Sequence, residues 1–496
     1  MPAEPSFRAS NTAKQTLTLL AERLGFAGFL LFAAFAPHSI AGAELSLAIV
    51  GAGWLTRTLL TGRTGFRRTP FDLPILLFFF WTILSAFLSE EPRISLPKLQ
   101  SVCVLLLFYL TQGVLTRRTA IMVAVVMIAS GAVGSVWSAV DLMLGRGVLI
   151  ARMSDDSPLR SLPLVEGDAV WRVAGHRISS VEEIDEAIRK QPAGTQLSVS
   201  AFSQGENAEF PGFTVTDAMK TQASPSGITG GGRAHRFRAS GWTRHYEYFA
   251  EILQMLAQCA LGLALCNLQK GASRWRARFA LAAFVLLSSG IALTAMRTVL
   301  VALAIGASVV AFRANLKRAK LIIVAAIILI MSSGALVVWR TRNAGALRLQ
   351  DPSSSLRWQV ARAGLSRIRL HPFFGHGMDA VKQHWTEWGF PGTLMIHLHS
   401  TPLQLAFDRG LPALALWLWI IWMFWSVATK AEREARNSVD ANRAGLLLGA
   451  TGALAGFFAS SLVNYNFGAG IVALVFWWLA GTVVVLSNSD RTIVTK

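Results

Sequence analysis

Apolar residues run along most of this chain in long blocks, with few polar interruptions. A bilayer core takes about 20 mostly apolar residues per helix. Read with that window, the pattern predicts twelve spans, near residues 17–37, 43–60, 73–89, 99–116, 119–142, 247–268, 277–295, 298–312, 319–339, 402–428, 443–463 and 467–487. The first block is followed by Pro37 and His38, with no small-x-small cleavage site and a second block at once. It therefore reads as a span and not as a removed leader.

The pattern changes abruptly over 147–216. Short alternating stretches predict strands at Gly147–Met153, around the turn in Gly167–Ile178, and at Gln196–Phe202 and Ala208–Val215. Ser180–Lys190 predicts an amphipathic helix capped by Ser179 or Ser180. Glu182 and Glu183 favour its N-terminus, and Ile184, Ala187 and Ile188 share a face. Residues 222–233, with Ser224, Ser226, Gly227 and the triplet Gly230-Gly231-Gly232, read as a flexible linker. A basic stretch follows, with Arg233, Arg236, Arg238 and Arg244.

Composition narrows the class. Hydrophobic residues make up 53% and charged residues 15%, against about a quarter charged in soluble domains. A cytosolic globular protein and a disordered one are both excluded. Cys103, Cys259 and Cys266 lie in apolar runs and form neither a disulfide framework nor a CxxC knuckle.

The formal net charge is +19, and its placement matters more than its size. With a cytoplasmic N-terminus, basic residues crowd the inner loops around 57–68, 117–118, 270–278, 313–320 and 430–443. The short outer loops hold only Arg93, Lys98 and Arg297. This asymmetry predicts that both termini are cytoplasmic and that 143–246 and 340–401 are external. All nine histidines then fall on the outer side, and 340–401 keeps an excess of arginine there. Basic charge on that face suits an acidic partner such as the phosphates of lipid-linked molecules. It does not suit nucleic acid.

Several chemistries find little support. Gly62-Arg63-Thr64-Gly65-Phe66-Arg67-Arg68 echoes a loop of major-facilitator transporters but lacks its Asp. A membrane metalloprotease needs a helical His-Glu-x-x-His, and none is present. The five histidines from His371 to His399 have no Cys or Glu at a familiar metal-ligand spacing, so no metal is expected.

Two resemblances add to this reading. The stretch SPLRSLPLVEGDAVWRVAGHRISSVEEIDEAIRKQPAGTQLSVSA resembles a bacterial PDZ domain. In that comparison Leu144-Gly145-Arg146-Gly147 stands where a peptide carboxylate would bind. The resemblance implies either strand addition of a periplasmic peptide or a docking and spacing module.

The stretches HPFFGHGMDAVKQHW and HSTPLQLAFDRGLPALAL resemble the signature of the O-antigen ligase/polymerase superfamily. Gly375 and Gly377 stand at its glycine pair. His399, Ser400, Leu403, Asp408 (for the usual Glu) and Gly410 form its final motif, and Arg357 is its helix arginine. RASGWTRHYEYFAEIL and LTAMRTVLVAL resemble two upstream elements and place Arg238 and Arg297.

The superfamily implies metal-independent, inverting transfer of a glycan from undecaprenyl diphosphate, at the outer face of the bacterial inner membrane, with no cofactor. It implies His399 as general base, with Arg238 and Arg297 on the diphosphate. Arg357 would position the donor, and Asp408 would orient a helix end or His399. The acceptor stays open among lipid A-core (ligase), another glycan (polymerase) and a protein side chain (O-oligosaccharyltransferase). A non-catalytic polysaccharide scaffold or transporter is the alternative from another class.

The expected organisation is an all-α polytopic membrane protein with an α/β insert. Residues 1–142 hold spans one to five, 143–220 an external PDZ-like domain, and 221–246 a basic linker. Residues 247–339 hold spans six to nine, 340–401 an external catalytic loop, and 402–496 the last three spans and a cytoplasmic tail.

Overall fold

The computed structural model describes residues 5–203, 206–235, 237–243, 245–314, 352–392 and 396–487. Among these, eight helices are long and apolar enough to cross a membrane: Ala13–Phe35, Pro92–Val114, Arg117–Leu144, Tyr246–Gln269, Arg274–Leu293, Thr401–Arg436, Ala441–Ser461 and Gly470–Ser487. The shorter Asp72–Leu88 is also apolar. Ile40–Thr61 and the 17-residue Arg297–Arg313 are the helices at the second and eighth predicted windows. The ninth window, 319–339, lies outside the described residues, as do Arg236, Arg244, Arg340, Arg342 and Arg348. The chain is thus a mostly helical, multi-span membrane protein.

Burial sorts the helices. Tyr246–Gln269 is enclosed over its whole apolar window, whereas Ala13–Phe35 buries a third of its own. Outward-facing Leu59, Phe80 and Met143 are 77%, 61% and 78% exposed. An apolar exterior of this kind is stable against lipid and not against water.

The central helices meet on glycine. A Cβ on Gly262 would sit 2.3 Å from Gly445 O, and one on Gly449 2.4 Å from Cys259 Cα. The pair Gly445 and Gly449, four residues apart, therefore lets Ala441–Ser461 lie directly on Tyr246–Gln269.

The insert is a small antiparallel sheet. Its strands are β1 (Arg146–Leu149), β2 (Ala169–Val173), β3 (His176–Arg177), β4 (Gln196–Ser203), β5 (Glu206–Thr214) and β6 (Arg233–Ala234). They run in the order β5-β4-β2-β1-β6, with β3 on β2. Helix Val181–Lys190 is capped by Ser180 and buries Ile184 and Ile188 among Val148, Val170, Val173, Leu197 and Val199. A second cluster, Trp171, Phe202 and Phe237, packs with Leu142 at the end of helix Arg117–Leu144.

Residues 222–233 correct the expectation of a flexible linker. Leu149 N–H donates to Gly232 O (2.7 Å), Ala151 N–H to Gly230 O (3.2 Å), Thr229 N–H to Arg152 O (3.0 Å) and Ser154 N–H to Gly227 O (2.8 Å). Asp185 accepts from Ser226 N–H (2.8 Å) and Ser224 Oγ (3.0 Å). Gly231 lies between Val148 and Val181. The glycines and serines are there because the chain threads a narrow slot, not because it swings free. They occupy the β1 edge that an added peptide strand would need.

Candidate functional site

The site is built on a break in helix Thr401–Arg436. Pro412 has no N–H to give, and Gly410 leaves helical geometry at φ 82, ψ 170, so carbonyls 407–409 lose their usual donors. The turn 371–378 supplies donors instead. His376 N–H donates to Phe407 O (2.7 Å) and Gly377 N–H to Asp408 O (3.0 Å), while Leu411 N–H donates to Pro372 O (2.7 Å). Trp81 Nε1 donates to Arg409 O (2.9 Å). On its other edge the turn accepts from Glu90 N–H (3.3 Å, Gly375 O) and Glu91 N–H (3.1 Å, His376 O). A Cβ on Gly375 would overlap the Asp408–Arg409 peptide at 2.5 Å. The glycine pair of the motif is therefore the price of three backbones meeting.

Asp408 is buried and accepts from Gln404 Nε2 (2.7 Å). Gln404 Oε1 in turn accepts Leu398 N–H (2.7 Å). A helix running on from His399 would bring Asp408, nine residues later, to nearly the same face. The helix in fact starts at Thr401, capped by Ser400, and Gln404 makes the link.

His399 itself has a left-handed backbone (φ 52), a conformation costing a non-glycine residue about 1–2 kcal/mol. Its N–H donates to His397 Nδ1 (3.3 Å), and the two rings lie 4.4 Å apart. Tyr465 flanks His397 at 5.6 Å and lines a cavity of about 490 Å³ with Arg409, Phe78 and Trp477.

Electrostatics keep both rings neutral. Burial, then His397, then the positive charge of Arg357 lower His399 to about 3. Burial and Arg357 lower His397 to about 4. In the unfolded chain both titrate near 6.5 and bind protons that the folded chain refuses. Folding stability therefore declines as pH falls from about 6.5 toward those lower values.

A buried polar node connects the site to the core. Glu251 accepts from Asn464 Nδ2 (3.0 Å) and from Ser460 Oγ. Asn464 Nδ2 also donates to Thr298 Oγ1 (3.1 Å), beside Arg297, the first residue of Arg297–Arg313. Asn464 O accepts Thr401 N–H (3.1 Å). Thr298, next to Arg297, and Thr401, two residues after His399, are thus tied to one asparagine.

Arg238 lies on the insert's side of the bundle. It is buried, with its guanidinium 4.2 Å over the Tyr246 ring, and Ala239 N–H is docked on Leu293 O (3.1 Å). Of the five expected residues, His399, Arg357 and Asp408 come together directly or through Gln404. Thr298, the neighbour of Arg297, bonds Asn464, and Arg238 lines a second cavity.

Sequence reading passed over Glu90, Gln404, Asn464 and Asn466. Glu251 and the Asn464-Tyr465-Asn466 triplet had a signal, since polar groups interrupting apolar windows are costly there. Buried His376 Nδ1 is hydrogen-bonded with Glu90 Oε2, its Nε2 lies 2.9 Å from Arg367 O, and His371 Nε2 is 3.7 Å from Glu90 Oε2. Burial would raise Glu90, but His376, with His371 and Arg367, holds it below the usual carboxylate range. Glu90, His371 and His376 are close enough to hold a metal ion, a grouping that spacing along the chain did not reveal.

Fold and site together define a polytopic membrane protein with a histidine pair just ahead of a broken helix. Residues 282–418 match the family model described as O-antigen ligase, so the chain carries an O-antigen ligase family domain there. The match takes in Arg297, Arg357, His399 and Asp408 and stops short of Arg238 and the insert. No curated protein matches the chain.

Proposed function

We propose that this protein transfers a glycan from undecaprenyl diphosphate to an acceptor hydroxyl at the outer face of the bacterial inner membrane. The observation that carries this is the neutral His399 ring, set beside Arg357 and tied through Leu398 and Gln404 to Asp408, inside the matched domain. Imidazole takes the acceptor proton as the acceptor oxygen bonds to the anomeric carbon. The bond from that carbon to the diphosphate oxygen breaks, and the electron pair leaves with the lipid diphosphate. Attack opposite the leaving group inverts the anomeric centre. Arg297 and Arg238 bind the diphosphate and Arg357 positions the donor, since guanidinium matches phosphate oxygens in pairs. Asp408 acts as a positioning residue through Gln404. The basic loops 57–68 and 430–443 face the cytoplasm, and the insert and the 352–401 segment face outward.

Disrupting the gene tests the reading. One surface glycoconjugate should shorten or vanish while lipid-linked precursor accumulates, and unchanged glycans with no precursor would overturn it. The affected conjugate also identifies the acceptor. Transfer by purified protein should persist in a chelator. Loss on chelation, restored by added metal, would instead assign work to Glu90, His371 and His376.

The lowered His399 pKa has a kinetic consequence. The acid limb of kcat/KM reports the free enzyme's base, so it should lie below about pH 5 rather than near 6.5. Arg357→Ala removes a positive neighbour and should move the limb upward. A limb near 6.5 in wild type that Arg357→Ala leaves in place would count against His399 as base.

A further inference from the structure

A cavity of about 550 Å³ lies where the sheet insert meets the bundle, and its wall mixes arginine with aromatic rings. From the insert come Arg146, Arg172, Arg177, Trp171 and Phe202, and from the bundle side Arg238 and Trp242. Consecutive strand residues ordinarily face opposite ways. Here the β2–β4 register shifts between Val170 and Arg172, and both Trp171 and Arg172 line the cavity.

The guanidinium of Arg172 lies 4.5 Å over the Trp171 ring, and its buried Nε has no hydrogen-bond partner among the described residues. Trp171 is oriented by Nε1 donating to Asn207 Oδ1 (2.8 Å) and by stacking on Phe202. Trp242 stacks on Trp137 at 5.4 Å and remains 47% exposed. Four arginines meet two lining acids, Asp141 and Glu209, and Asp141 is already paired with Arg146. The cavity is therefore net basic, with the exposed Trp242 indole as an apolar face.

We propose that this cavity binds an anionic saccharide, with carboxylate or phosphate groups of the glycan on Arg172 and Arg177 and a sugar face on the exposed Trp242. Planar guanidinium pairs with such anions, and ring C–H faces pack on indole, which offers apolar area at low conformational cost. The proposal rests on the glycan-transfer reading. Arg238 stands in the same wall, so a glycan whose diphosphate lies at Arg238 extends along the insert. The insert then acts as a selector of acidic sugar chains.

The test uses full-length protein in nanodiscs, with oligogalacturonate tetramer as the acidic probe and a neutral galactose tetramer as control, read by tryptophan fluorescence. The acidic probe should bind at least roughly tenfold more tightly than the neutral one. Arg172→Ser with Arg177→Ser should remove that preference while elution profile and melting temperature stay those of wild type. Arg172→Lys with Arg177→Lys, which keeps the charge, should retain part of it and report on the site if the serine pair misfolds. Inhibition of transfer competitive with the lipid-linked donor would place the bound chain on the donor, and inhibition competitive with the acceptor would place it there. Equal binding of the two tetramers, or a preference that survives the serine substitutions, overturns the proposal. If the preference follows the arginines but wild type transfers no glycan, the transfer reading fails and the saccharide site stands. If transfer proceeds without the preference, only this site fails.

Discussion

Replacing His399 with alanine should cut glycan transfer by about 10²–10⁴-fold, the usual contribution of a positioned general base, and leave the protein folded. The ring makes no hydrogen bond to another side chain among the described residues beyond its contact with His397, so truncation orphans no buried partner. His399→Asn is the better-tolerated companion, because asparagine accepts left-handed backbone more readily than alanine and φ here is 52°. Both should show initial rates near background in vesicles supplied with lipid-linked donor and acceptor. Both should elute and melt as wild type does. His397→Ala is the contrast. It removes an acceptor from His399 N–H and one cause of the lowered His399 pKa, so it should reduce the rate less. Wild-type transfer by His399→Asn would sink the assignment, and loss confined to His397→Ala would move it two residues.

The helices were legible because lipid imposes a simple rule: every backbone group must be satisfied within the segment, and the side chains must be apolar. Eight of the predicted windows became helices long enough to span. The insert was legible for a different reason, since its alternation and the Ser180 cap are local signals. Residues 222–233 misled because glycine and serine signal freedom in isolation. Here they are small residues fitted against Val148, Val181 and Asp185, a tertiary fact that composition does not carry.

In the site, the motif residues His399, Asp408, Gly375, Gly377 and Gly410 were visible as a string. The string did not show that Gln404, unremarked between them, is the link that joins Asp408 to Leu398. Glu90 was hidden more deeply. It lies 286 positions from His376, and pairing across such separation appears only once the turn is docked beside the third apolar helix.

Gly410→Ala should be the most damaging single-methyl change in the docked turn and helix break, and it should remove fold and activity together. A Cβ at this position would lie 1.7 Å from Phe373 O and 2.3 Å from Phe373 C, backbone that cannot rotate aside. Its φ 82, ψ 170 belongs to a region open almost only to glycine. Conformational strain and overlap together cost roughly 3 kcal/mol or more. The chain can relieve them only by pushing the 371–378 turn off the helix break, which breaks the bonds from His376, Gly377 and Leu411. The same movement shifts Asp408 and Gln404, and with them the 397–399 loop. Gly389→Ala is the control: it too has positive φ (73), but nothing lies within 4 Å of the added Cβ. It pays the conformational cost alone, about 1–2 kcal/mol, and should keep most activity. Melting temperature and transfer rate of the two variants in the same detergent decide the matter. If Gly410→Ala melts and transfers as Gly389→Ala does, the docked turn is not what holds His399 in place, and the loop must be ordered by the Asn464–Thr401 contact alone.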